Sequence, residues 1–288
     1  MPGTDQTIAE LLNKGGENLW RRIHHFIKSK WTQYKMPEEW SMGIIQPIYK
    51  TGDKLECSNY RAITPLNVTC KVLSGILYNR VTKYAEEILG DHQRGCRVNC
   101  STTDHTFTIR QTQEKTYEYI IHLHNLFIDF KQAFDSVNRD RMLNDLLIFG
   151  IPKKLVQLIS VTMAGSKANV KVDNQYTSTF PITNGVRQGD ALSSVLFYLV
   201  LEAILQKMNI TSHIGTKSTQ LLAYADDVTI MGRSKNALKD TLFNIEKEAR
   251  RRGLLVIENK TKYMQVARVV HNDEHLRCGQ HKCEHVNP

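Results

Sequence analysis

The segment LLAYADDVTIMG, residues 221–232, restricts the fold more tightly than any other stretch of the chain. Two apolar runs, Leu221 to Tyr224 and Val228 to Met231, have the length and side-chain content of β-strands and flank a pair of adjacent aspartates. The segment therefore reads as an apolar hairpin with a doubly charged tip. Two carboxylates about 4 Å apart repel by about 1 kcal/mol in bulk water and about 4 kcal/mol near a protein surface, so Asp226 and Asp227 cost stability unless something positive sits between them. Aspartate is also a common turn former, which is the bland account of both residues. The apolar flanks argue against it, because a hairpin of this kind has no need of two charges at its tip.

The chain has 288 residues, 41% of them hydrophobic and 23% charged, which suits a globular protein with a proper core. A formal charge of +9 and a pI near 9.2 favour a polyanionic partner such as nucleic acid. Six cysteines (Cys57, Cys70, Cys96, Cys100, Cys278 and Cys283) follow no disulfide-framework spacing, and the N-terminus has no apolar signal-peptide core. An intracellular, reducing location is expected, in nucleus or cytoplasm. The most apolar stretch, VLFYLVLEAIL from Val195, is about half the length needed to span a bilayer and contains Glu202, so it reads as a core helix and no membrane partner is expected.

No repeat, low-complexity tract or linker divides the chain, and one interwoven unit is the simplest reading. Residues 1–30 form a helical extension by their three-to-four spacing of Ile8, Leu11, Leu12, Leu19, Ile23, Phe26 and Ile27. Helices are also expected over Lys71–Leu89, Asp104–Tyr119, Arg139–Phe149 after an Asn138 cap, Leu192–Met208 and Asn236–Arg252. Strands are expected at WSMGIIQPIY, at NLFIDF, as a pair around Asp173 and Asn174, at the two arms of the YADD hairpin, and in LLVIENKTKYMQV. Strands and helices mix without regular alternation, which is the α+β class.

In NLFIDF, period-two alternation puts Asn125, Phe127 and Asp129 on one face. If this strand pairs with the hairpin, Asp129 joins Asp226 and Asp227 at one sheet edge. Magnesium binds through a few carboxylates while keeping waters and substrate phosphates as its other ligands, and two such ions clamp the attacking and leaving oxygens of a phosphoryl transfer.

YADD in an apolar hairpin, FIDFKQAFDSVNRDRM, NGVRQGDALSSVLFYLVLE, GLLVIENKTKYM and GIIQPIYKTGDKLECSNYRAIT together resemble the reverse transcriptases of non-LTR, LINE-type retrotransposons, over roughly Trp31 to Met264. The resemblance implies a polymerase right hand with an antiparallel palm sheet and packed helices: fingers at about 31–123 and again after Asp129, palm at about 124–264, and a polar tail at 265–288. It implies an RNA template, a DNA primer, dNTP, and magnesium or manganese. By position, Asp129 and Asp226 match the metal-binding aspartates and Asp227 the third carboxylate of the box. Tyr224 matches the aromatic near the primer end. Phe134 matches the ring under the incoming sugar, where a 2′-hydroxyl would collide, although alone it reads as a core aromatic. Gln188 and Gly189 match the segment that meets the templating pair and the nucleotide, and glycines at 185 and 189 would let backbone approach a ligand. Lys50 and Arg61 match the positions that meet the triphosphate. Lys260 matches the lysine near the leaving pyrophosphate, a general-acid position. Asp135 also matches the family, but its place beside a turn and helix start suits a capping role.

Several positions depart from the family pattern: Asn99 and Cys100 stand in place of Gly and Arg, Ala62 and Ser194 in place of Pro, and Ile257 in place of Asn. None of these removes a carboxylate. Cys278, His281, Cys283 and His285 in the tail match no strong zinc spacing. Full-length relatives carry an endonuclease before this region and a primer grip and thumb after it, so a second reading is a truncated remnant that only binds RNA or RNA–DNA duplex. Phe134 and GVRQGDALS disfavour an RNA-dependent RNA polymerase.

Overall fold

A computed structural model describes residues 7–95, 97, 100–173, 175–208, 219–267, 275–278 and 281–286. In chain order the first elements are α1 (Ala9–Lys14), α2 (Gly16–Gln33), β1 (Met42–Tyr49), β2 (Tyr60–Ile63), α3 (Val68–Ile88) and α4 (Thr102–Glu118). Next come β3 (Leu123–Ile128), α5 (Ala133–Ser136), α6 (Arg139–Ile148), α7 (Lys153–Met163), β4 (Lys167–Val172), β5 (Gln175–Tyr176) and β6 (Phe180–Pro181). The chain continues through α8 (Ala191–Gln206), β7 (Thr219–Tyr224), β8 (Asp227–Gly232), α9 (Lys235–Arg251), β9 (Lys262–Val266), β10 (His275–Cys278) and β11 (His281–His285). Helices and two sheets thus mix in an α+β fold.

Local chemistry sets the helix starts. Ser101 and Asp104 form a reciprocal capping box at α4: the Thr103 N–H donates to Ser101 Oγ at 3.1 Å and the Ser101 N–H to Asp104 Oδ2 at 2.8 Å. The Arg141 N–H donates to Asn138 Oδ1 at 2.9 Å, the cap expected for α6, and the Ala237 N–H donates to Ser234 Oγ at 3.2 Å at the start of α9.

The chain divides into two compact units, each built from separated segments. Residues 1–86 and 142–196 form the first, around a sheet ordered β2-β1-β4-β5 with β6 also on β4. Here β1 is antiparallel to β2 and parallel to β4. The second unit, residues 87–141 and 197–288, contains a six-stranded sheet ordered β10-β11-β9-β3-β8-β7. Residues 87–123 cluster with this second sheet: the backbone at His92 to Arg94 bonds to β7, and Ile109 of α4 packs on Leu123, Leu222 and Met231.

In the second unit β3 is central, antiparallel to β8 on one side and β9 on the other. Leu126, Ile128, Val228, Ile230 and Tyr263 are buried along these ladders, and α9 packs on β3 and β8 with Leu238, Leu242, Ile245 and Ala249 turned inward. The His124 imidazole lies stacked on the Tyr263 ring, and burial pushes it down to about 4, so it is neutral in the folded chain. Inside α8, Glu202 is buried against His92, with Oε2 to Nε2 at 2.9 Å. Among the described residues no helix is long and apolar enough to cross a membrane.

The polar tail contains two strands not expected from the sequence, β10 and β11, and β11 joins β9 in parallel through Glu284↔Lys262 and His285↔Tyr263. Cys283 is buried and the His285 ring lies against Tyr263; Cys96, Asn99 and Asn174 lie outside the described residues, as do the side chains of Cys278 and His281.

Between α4 and β3, Ile120 has φ 56° and is 65% exposed. Its side chain gains little from burial, while a left-handed backbone costs a residue with a Cβ about 1–2 kcal/mol and a β-branched one at least that. Ile120→Gly is expected to stabilise the fold by about 1 kcal/mol after the entropy of glycine in the unfolded chain is subtracted. A rise in the urea midpoint at unchanged slope checks this, and a lower midpoint would contradict it.

Candidate active site

Two strands and one turn bring the carboxylates together. The β3–β8 register ends at Ile128↔Val228, so one step further along it Asp129 stands opposite Asp227. In the neighbouring ladder Tyr224 pairs with Asp227, which leaves Ala225 and Asp226 as a two-residue turn. Ala225 has φ 56°, and a positive φ at the first turn residue alone is the pattern in which glycine is normal. The carbonyl of Asp129 accepts from the Ile257 N–H at 2.8 Å, and the Lys131 N–H donates to the Leu255 carbonyl at 2.8 Å, so Asp129 is clamped on its other side by the chain entering β9.

The charges feel one another. Partial burial, then Asp226, then Asp129 push the Asp227 carboxyl above the ordinary carboxylate range. Lys260 Nζ stands 3.3 Å from Asp129 Oδ2, with the lysine side chain 65% exposed. Among the described residues no three acidic, histidine or cysteine side chains converge tightly enough to cage an ion alone. Magnesium does not require such a cage, since it keeps waters and takes substrate phosphates. An all-oxygen donor set, a carboxyl raised by its like-charged neighbours and an ammonium already beside Asp129 all fit a site for a hard cation.

Other expected residues lie as follows. Tyr224 is half-buried at the end of β7, with the His105 ring edge-on at 6.3 Å between centres. Phe134, in α5, is half-exposed and stacked on the buried Phe197 at 4.6 Å, so it is neither a core ring nor a free one. Asp135 lies in the same short helix and is exposed.

Lys50, Arg61, Gln188 and Gly189 belong to the first unit. Arg61 pairs with Ile48 across β1–β2, and the Lys50 N–H donates to the Asn59 carbonyl just beyond. Alternation along the register puts Gln46, Ile48, Lys50, Arg61, Lys167, Lys171 and Tyr176 on one face, which carries four cations and no acid. Lys167 and Lys171 have no motif; only the pairing of β4 with β1 reveals them. Gln188 and Gly189 lie on the loop before α8, where Arg187 donates to the Trp40 carbonyl at 3.0 Å and Asp190 accepts from Ser74 Oγ and the Leu192 N–H. Gly189 has φ 97°, a backbone conformation that favours glycine, and a Cβ there would meet no protein atom within 4 Å, so the space beside it is open.

The family model described as reverse transcriptase (RNA-dependent DNA polymerase) matches residues 48–284. The chain is 27% identical over 277 residues to a retrovirus-related Pol polyprotein from type-1 retrotransposable element R2 of Popillia japonica, over 92% of this chain and 37% of that protein. It is 28% identical over 198 residues to a probable RNA-directed DNA polymerase from transposon BS of Drosophila melanogaster, over 68% of this chain and 22% of that protein. It therefore spans well under half the length of these relatives. Among solved structures it resembles Candida tropicalis telomerase in complex with a TWJ fragment of telomeric RNA, with TM-score 0.61 and 17% identity over 90% of this chain and 46% of that one. This likeness shows the fold, a polymerase right hand.

The raised carboxyl gives a signed expectation. Asp227 binds its proton more tightly folded than unfolded, so its ionisation destabilises the fold as pH rises out of the ordinary carboxylate range. Without divalent cation, Asp227→Asn is expected to melt higher than the parent at pH 7, with the difference vanishing at pH 3. Parallel melting curves at both pH values would contradict this.

Proposed function

This chain belongs to the reverse transcriptase (RNA-dependent DNA polymerase) family, and we propose that it carries the polymerising site of a non-LTR retrotransposon. Its relatives are the Pol polyproteins and polymerases of such elements. The reaction is nucleotidyl transfer on an RNA template. The 3′-oxygen of a DNA primer attacks the α-phosphorus of a dNTP, one P–O bond forms, the α–β bridge breaks, and pyrophosphate leaves. The observation that carries this reading is the meeting of Asp129, Asp226 and Asp227 at one sheet edge with Lys260 beside Asp129.

Members of this family generally depend on divalent metal. Magnesium held by Asp129 and Asp226, with Asp227 beside them, would neutralise the phosphate charge and align the reacting oxygens. The chain's own residues do the rest. Lys260 moves from Asp129 to the leaving phosphate, where its ammonium can donate a proton. Phe134, steadied by Phe197, lies under the sugar and excludes a 2′-hydroxyl. Tyr224 rests near the primer end. Lys50 and Arg61 meet the triphosphate, Arg61 through paired N–H donors. Gln188 and the Gly189 backbone meet the templating pair. The basic face of β1, β2 and β4 suits a polyanion in nucleus or cytoplasm.

Primer extension on an RNA template with a DNA primer and Mg²⁺ tests the reaction. The parent is expected to extend and Asp226→Ala to be slower by on the order of 10³-fold. Extension unchanged by Asp226→Ala, or none by a parent that binds the duplex, sinks the reading.

The basic face is tested by salt. Lys167→Gln with Lys171→Gln is expected to lower the affinity for RNA–DNA duplex and to shallow the slope of log affinity against log salt by about 2. Fluorescence anisotropy at graded salt reads both quantities. An unchanged slope would place the duplex elsewhere.

A further inference from the structure

Behind the turn that carries Asp226 runs the segment His92 to Gly95, none of whose residues has been given a role above. The Ala223 N–H donates to the His92 carbonyl at 2.7 Å, and the Arg94 N–H donates back to the Ala223 carbonyl at 3.0 Å, so this segment forms a short parallel pairing with β7 at Gln93↔Ala223. Gln93 is 1% exposed. Its Oε1 accepts from the Gly95 N–H at 2.9 Å and from the Ala225 N–H at 3.2 Å. Two N–H donors meeting one atom identify it as the amide oxygen, which fixes the orientation of the group. The other half of the amide, Nε2, is buried with no partner. Gly95 presses on the turn so closely that a Cβ would come 2.4 Å from the Ala225 nitrogen and 3.1 Å from its Cα.

A residue kept only for packing would be methionine or leucine here, since either fills the space without burying an unsatisfied N–H₂. The oxygen must therefore matter. What it holds is Ala225, whose left-handed backbone a residue with a Cβ resists, and the next residue is Asp226. His105, hydrogen-bonded to the His92 backbone and edge-on to Tyr224, steadies the same segment.

We propose that Gln93 is a positioning residue: by accepting from the Ala225 and Gly95 N–H groups it holds the turn left-handed and so aims the Asp226 carboxylate at the cation site. This rests on the nucleotidyl-transfer reading above.

Gln93→Met in the whole chain keeps the volume and removes the acceptor. It is expected to retain a cooperative thermal transition, to bind Mn²⁺ about tenfold more weakly by electron paramagnetic resonance without nucleotide, and to lose about 10–100-fold in kcat with the KM for dNTP within about twofold. Adding Ala225→Gly to Gln93→Met is expected to recover at least part of the Mn²⁺ affinity, because glycine takes the left-handed turn unaided. Loss of packing alone would not be repaired by that second change. Parental Mn²⁺ affinity and kcat in Gln93→Met overturn the proposal. So does loss of the cooperative transition that Ala225→Gly fails to restore, which would assign the bond to folding. Asp226→Ala measured alongside separates the two levels: Mn²⁺ binding that it leaves intact removes the carboxylate site altogether, whereas binding that it abolishes and Gln93→Met leaves intact removes only the positioning role.

Discussion

Burial along the β3–β8 and β3–β9 ladders is what makes three neighbouring carboxylates tolerable. Leu126, Ile128, Val228, Ile230 and Tyr263 are each at most 2% exposed, and burying a large apolar side chain contributes about 1.5–3 kcal/mol, as an upper estimate. The mutual repulsion of Asp129, Asp226 and Asp227 at the wet end of the same strands is about 4 kcal/mol per close pair at most. The two totals are of similar size, but only the alternation of buried apolar side chains selects a register, so the core fixes it and the acidic ends follow. A slip of one residue would turn Leu126 and Ile128 to the opposite face and part Asp129 from Asp227 together.

The same balance explains how a site can be acidic without being closed. The Lys260–Asp129 contact involves a side chain that is 65% exposed, and such pairs are worth about 0–1 kcal/mol. It offsets charge while no stronger cation competes, and little is lost when the lysine moves. Asp227 tells the other side of it: partial burial and two like charges raise its carboxyl, and nothing among its causes lowers it. A divalent cation would relieve both terms at once.

Much of this was legible because it rests on local signals. Period-two alternation in NLFIDF, the apolar arms around Asp226 and Asp227, the Asn138 cap and the run of apolar residues in α8 each depend on near neighbours in the chain, and each stands where the pattern put it. What was not legible depends on distant segments. Lys167 and Lys171 join Lys50 and Arg61 only because β4 pairs in parallel with β1, across more than a hundred residues. Gln93 and Gly95 matter only because the chain at His92 runs beside β7, and nothing in QRG announces that. β2, α7, β10 and β11 were missed for a related reason. β2 and the tail strands are short and gain their order from a partner strand, while α7 follows Pro152 with no side-chain cap to signal it.

Unfavourable features are not all alike, and their partners distinguish them. Ala225 is left-handed, but Gln93 and Gly95 are both spent on holding it so, and the residue it orients is one of the three carboxylates. Ile120 is left-handed at the end of α4, held only by the backbone bonds of that helix end, its N–H to the Tyr117 carbonyl and the Ile121 N–H to the Thr116 carbonyl, and it orients no site residue. Asn125 is fully buried at the centre of β3, opposite Met231 and Met264, with both side-chain polar atoms lacking a partner. An unsatisfied buried amide costs about 1–3 kcal/mol, and Asn125 shares its face with Asp129. Yet four residues of extended strand put it about 13 Å along from that carboxylate, and methionines flank it. Backbone strain and unsatisfied groups point to function only when something is built around them to keep them in place. By that criterion the turn at Ala225 qualifies and Ile120 and Asn125 do not.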